Sequence, residues 1–198
     1  MESNAALHKE EFRAGRELGL DHNKLGMWLF LSSEIMFFGG LIAAFLHFKI
    51  NTPSPAEAAL LDIALIGINT FILLTSSFTV VLGLAAIKRG DSGALARYIG
   101  LTLLLGSVFL AGQGYEFTML YREGMTLQSS VYGSSFFTLT GFHGLHVLIG
   151  VVWAVFVLLN AMRGKYSEGS YDGVEIFGLY WHFVDIVWIV LFTIIYLV

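Results

Sequence analysis

The chain has 198 residues, 56% of them hydrophobic and 13% charged, with a mean hydropathy of +0.73. A soluble domain carries roughly 25% charge, so lipid is the expected solvent, and the length fits one domain. The chain has no cysteine, which excludes disulfides, thiolate metal sites and cysteine nucleophiles. A net charge of −4 without a basic run argues against a nucleic-acid partner.

Residues 1–24 read as a polar tail, and residues 25–198 as one transmembrane domain. The first apolar run is long enough to span a bilayer and no A-x-A pattern follows it, so a cleaved leader is not expected. Within the tail, residues 7–18 suit either a short polar surface helix or a frayed end.

A span needs about 20 apolar residues. Five segments qualify: Leu25–Phe48, Leu61–Ile87, Tyr98–Tyr121, Ser134–Ala161 and Val174 onward. Pro53 and Pro55 fall in the first loop, where they cost no helical hydrogen bond. Gly90, Gly124, Gly164 and Gly169 mark the other breaks. The expected fold is an all-α bundle of five transmembrane helices. Lys9, Arg13, Arg16, Lys24, Lys88, Arg89, Arg97, Arg163 and Lys165 fall on one side, against only Lys49 and Arg122 on the other. The positive-inside rule then places the N-terminus in the cytoplasm and the C-terminus outside.

Ionisable groups within spans are costly, and they usually face protein and have a partner. Glu34 lies about 13 Å into the first span at 1.5 Å per residue, near mid-depth. His143 and His146, and likewise His182 and Asp185, are i, i+3 neighbours at similar depth. Helical geometry permits all five to meet in one layer. Glu116 sits nearer the outer end of the third span, with Gln113 on its face. Asn69, Thr70, Thr75, Ser76, Ser77 and Thr79 in the second span can bond their own helix backbone. Gly39, Gly40, Gly67, Gly83, Gly106, Gly112 and Gly114 allow close helix approach. Trp153, Tyr180 and Tyr196 suit interfacial anchors where they fall near span ends. Trp181 and Trp188 lie too deep for that and are expected to pack against protein.

No Glu-x-x-His di-metal motif, phosphate loop or Ser-His-Asp arrangement occurs, and no catalytic centre is recognisable. His143 or His146 opposite His182 leaves a haem open. A metalloenzyme using those three histidines is a further alternative, as is a small proton-coupled transporter using Glu34 and the histidines as a relay.

Four stretches carry a resemblance: LFLSSEIMFFGGLIAAF (residues 29–45), GQGYEF (112–117), VYGSSFFTLTGFHGLHVLIG (131–150) and LYWHFVDIVWIVLFTIIYL (179–197). They resemble subunit III of haem-copper respiratory oxidases, in order and over nearly everything after residue 24. The resemblance implies a non-catalytic subunit of a proton-pumping, oxygen-reducing enzyme, cytochrome c oxidase, in a bacterial plasma membrane. Subunits I and II and a small subunit IV would be its partners. Haem and copper would sit in those partners, with no cofactor or metal in this chain beyond structural phospholipid. By the same resemblance Glu34 matches the family's buried, carbodiimide-reactive carboxylate. Glu116, His143, His146, Trp181, His182, Asp185 and Trp188 match its recurring polar and aromatic positions. Arg163 and Lys165 fall where lipid headgroups would be met. The long form of the family has seven helices and a lipid cleft; this chain begins near the third and resembles the short bacterial form. Quinol-oxidising relatives tend to have Asp at the buried position, so Glu34 favours cytochrome c as donor, with a quinol oxidase as the alternative.

Overall fold

The computed structural model describes residues 22–198; the tail, with the surface helix considered for residues 7–18, lies outside them. Among the described residues, five helices are long and apolar enough to cross a membrane. They are α1 (His22–Asn51), α3 (Ile63–Ile87), α4 (Ser92–Arg122), α5 (Val131–Met162) and α6 (Asp172–Phe192). A four-residue helix, α2 (Pro55–Ala58), interrupts the first loop, with Pro55 at its opening position, where a missing N–H costs nothing. The α1 helix starts three residues before the expected Leu25, and α6 continues as a π-helical turn, Thr193–Leu197.

Short connections force neighbouring helices to run antiparallel, and three of these turns share one design. Gly90, Gly124 and Gly164 have φ of +78°, +87° and +67°, a region open to glycine. After each, the next N–H reaches back to a carbonyl five residues earlier: Asp91 to Ala86, Met125 to Leu120, Lys165 to Asn160. Three of the long helices, α3, α4 and α5, open on a side-chain cap. Asp62 accepts from Ala64 and Leu65, Asp91 from Ala94, and Ser130 from Gly133. Gly169, by contrast, sits in a small turn between Ser167 and Ser170.

The helices α3, α4, α5 and α6 form a closed ring, and α1 packs outside it on α5 and α6. Buried positions recur at alternating steps of three and four. On α4 they include Leu95, Ile99, Thr102, Gly106, Phe109, Gln113, Glu116 and Leu120. On α5 they include Phe136, Thr140, His143, Val147, Gly150, Ala154 and Val157. Only Leu31, Phe38 and Phe45 are buried on α1, one per heptad. This is the seam of left-handed helix packing.

Close approach uses only some of the expected glycines. A Cβ at Gly106 or Gly150 would lie 2.7 Å from the Trp181 ring, and one at Gly112 2.7 Å from Asn69. Gly83 makes ordinary contacts, whereas Gly39, Gly40, Gly67 and Gly114 have nothing within 4 Å. Those four do not seat a neighbouring helix here. Gly144, against Gln113, does. Gly150→Leu therefore overpacks the Trp181 slot, at about 1–3 kcal/mol. Its thermal midpoint in detergent should fall by several degrees, while Gly39→Ala melts with the parent chain.

The loop after α1 is tied to α5. Glu57 accepts the Ser130 hydroxyl, the same hydroxyl that caps α5. Burial pushes the Glu57 carboxyl up, but hydrogen bonds from Ser130, Ser129, Ser54 and the Gly133 N–H outweigh it and hold it below the usual carboxylate range. A lowered folded value means the tether stabilises above the ordinary carboxylate pKa and fades as pH falls through the folded one. Glu57→Gln should thus loosen residues 52–62 to proteolysis at neutral pH. Parent and variant should converge once the pH falls below the lowered folded value of the Glu57 carboxyl.

Candidate functional site

The intramembrane polar residues do not join in one cluster; the structure gives them separate partners. Glu34 on α1 faces His146 on α5, with Oε2 3.2 Å from Nε2. The other ring nitrogen, Nδ1, lies 2.8 Å from the Phe142 carbonyl, which can only accept, so Nδ1 carries a proton. A hydrogen bond between the two then needs a proton on one of the facing atoms, Oε2 or Nε2. Phe38 meets the His146 ring edge-on at 5.0 Å, and the Tyr180 hydroxyl donates to the His146 carbonyl. The seam is only partly closed, the two side chains being 17% and 13% exposed.

His182 on α6 lies 2.6 Å through Nδ1 from the Ser77 hydroxyl of α3, and Asp185 bears on the same hydroxyl. Deeper in the ring, His143 is fully buried and stacks on Trp188 at 4.8 Å, with Phe109 edge-on. Neither of its nitrogens has a protein partner among the described residues, nor has Asp185 Oδ1. His143, His146 and His182 thus have different neighbours, and no three His, Asp or Glu side chains among the described residues are grouped to hold a metal ion.

Trp181 and Trp188 are 1% exposed, as expected of packing residues, and each indole N–H finds an acceptor on α3. Trp181 donates to Ser76 at 3.0 Å and Trp188 to Thr70 at 2.9 Å. The hydroxyls of α3 do bond their own backbone, but Thr70, Ser76, Ser77 and Thr79 also bond across to neighbouring helices. With Asn69, which donates to the Phe109 carbonyl, they are the residues that sequence reasoning undervalued. The pairing follows the antiparallel course of the two helices: Thr70, early in α3, meets Trp188, late in α6, and Ser76 and Ser77, about a turn and a half further on, meet Trp181 and His182.

Glu116 is 4% exposed and accepts from the Tyr196 hydroxyl at 2.7 Å. Tyr196 is therefore no surface anchor. Gln113 donates to the Thr140 carbonyl. At the bundle end where α1 and α6 begin, Lys24 and Lys88 both bond Glu175, a bridge over three helices that the sequence reading did not identify. Arg163 and Lys165 are exposed at that same end. Tyr196→Phe leaves a buried carboxylate oxygen unpaired, at about 1–3 kcal/mol. Thermal melting should show the loss, and Glu116→Gln combined with Tyr196→Phe should cost less than the sum of the single changes.

Comparison with known proteins agrees with this architecture. Residues 11–198 match the family model described as cytochrome c oxidase subunit III. A protein of Corynebacterium diphtheriae named cytochrome c oxidase subunit 3 is 44% identical over 178 residues, covering 88% of this chain and 87% of that protein. A probable cytochrome c oxidase subunit 3 of Nocardia farcinica is 43% identical, covering 88% and 87%. A cytochrome c oxidase subunit 3 of Thermostichus vulcanus is 40% identical, covering 89% and 88%. With five membrane-length helices in the matched region, the chain belongs to the cytochrome c oxidase subunit III family.

Proposed function

We propose that this chain is the non-catalytic third subunit of a proton-pumping cytochrome c oxidase in the aerobic respiratory chain of a bacterial plasma membrane. It packs on subunit I, beside subunit II and a small subunit IV. Those partners hold the haem and copper, and this chain contributes helices and bound phospholipid. Its N-terminus is cytoplasmic, which follows from the lysine and arginine asymmetry. Arg163 and Lys165 then face phospholipid headgroups on the cytoplasmic side.

The observation that carries this reading is the Glu34–His146 pair. It sets a carboxyl group against an imidazole near the middle of α1, on the helix with the least buried face, in a seam the chain itself leaves partly open. A partner that covers the α1–α5 seam would shelter the pair at a position where an exposed charge costs about 2.5–3.5 kcal/mol.

In mild detergent the chain should copurify with a larger, histidine-rich membrane subunit that carries the haem spectrum. Glu34→Gln should leave that assembly intact but shorten the enzyme's lifetime during turnover or lower its proton yield per electron. Recovery of the chain as a solitary protein would refute the subunit assignment. Unchanged pumping and inactivation kinetics in the variant would reduce Glu34 to a packing residue.

A further inference from the structure

An apolar groove of about 530 Å³ runs between α1 and α6, from Leu179 to Val190, about 17 Å along the helix. Trp28, Leu179 and His182 also line a second cavity of about 310 Å³ between α1, α3 and α6, whose wall includes Lys24 and Glu175 of the charged bridge. The groove wall has two polar side chains. Ser32 spends its hydroxyl on the Trp28 carbonyl of its own helix. His182 is different: Ser77 fixes Nδ1, and the free edge of the ring, with Nε2, is left for the cavities.

We propose that this groove binds a neutral isoprenoid quinone. The head lies between Trp28 and His182, with one ring oxygen on Nε2, and the tail follows Ile186 and Val190.

Three observations select that chemistry. The first is depth. His182 lies seven residues beyond Glu175, about 10 Å beneath the charged layer. A phosphodiester would belong in that charged layer, not beside His182. A quinone head is uncharged and tolerates hydrocarbon. The second is economy of polar groups: a nearly all-apolar wall with one oriented hydrogen-bonding atom is what an amphiphile with a small polar head requires. The third is the relay behind the ring. Asp185 and Ser77 let the imidazole adopt either tautomer. With Nδ1 accepting from Ser77, Nε2–H donates to a quinone carbonyl. With Nδ1–H donating to Ser77, Nε2 accepts from a quinol hydroxyl. Both redox forms of one ligand are thereby accommodated. Trp28, 56% exposed and on the wall of both cavities, supplies a flat face for the ring.

The test uses the purified oxidase complex and a photoreactive azido-quinone. Label is expected in peptides containing residues 28–42 or 179–190. Excess unlabelled quinone should displace it, and excess phosphatidylglycerol should not. His182→Leu keeps the apolar bulk but removes the hydrogen bond, and should weaken labelling about tenfold. Gly39→Leu fills the groove from a position where a Cβ meets nothing within 4 Å, so it blocks labelling without disturbing the bundle. The proposal fails if these peptides stay unlabelled, if phosphatidylglycerol competes as well as quinone, or if both variants label like the parent. None of these outcomes depends on whether Glu34 acts in proton pumping.

Discussion

Hydrocarbon supplies no hydrogen bonds, so each polar side chain in this bundle is satisfied by its own helix backbone or by a neighbouring helix, or is left at a cost. The helices meet along three-four seams, and those seams contain Thr102, Gln113, Glu116, Thr140 and His143 as well as leucine and phenylalanine. A seam position is buried whatever occupies it. The polar residues therefore become the cross-links between helices: Thr79 to Thr102, Gln113 to Thr140, Glu116 to Tyr196. Apolar contact between helices gains little when the solvent is itself apolar, and these bonds, with close packing, hold the ring together.

The two tryptophans of α6 show how packing and bonding combine. Trp181 lies in a slot that exists because Gly106 and Gly150 present no side chain, and its N–H ends on Ser76. Trp188 lies between Phe109 and His143, with its N–H on Thr70. Both rings are anchored at the nitrogen and wedged at the face. That makes α6 the most buried helix, joined to α3, α5 and α1, and it fixes the direction in which His182 and Asp185 project.

Five spans could be read from apolar length and from basic residues at their ends, and the observed helices differ from that reading by a few residues, mostly through polar turns that hydropathy does not count. Placement of Glu34, His146 and His182 in the interior of long helices was equally legible, because position along a helix is linear in residue number. Their partners were not. Rotation about each helix axis depends on which helices adjoin, and spacing on one helix cannot supply that. His143 and His146 share a face by number, yet one turns into the ring toward Trp188 and the other outward to Glu34. The glycines show the same limit: Gly106 and Gly39 look alike in sequence, and only one has a helix against it.

The π-helical turn that ends α6 has a consequence for how the end of the bundle where α1 stops is keyed. A five-residue hydrogen-bond step widens the helix and alters its phase, so both Ile195 and Tyr196 turn inward. It also leaves the Ile194 carbonyl accepting from the Lys49 ammonium, 2.9 Å away at the far end of α1. The last turn thus works as a two-pronged clasp: one prong is an aromatic hydroxyl on the α4 carboxylate, the other a carbonyl on the α1 amine. Removing one residue from this turn would rotate Tyr196 by about 100° and undo both prongs together, although no contacting side chain had been changed.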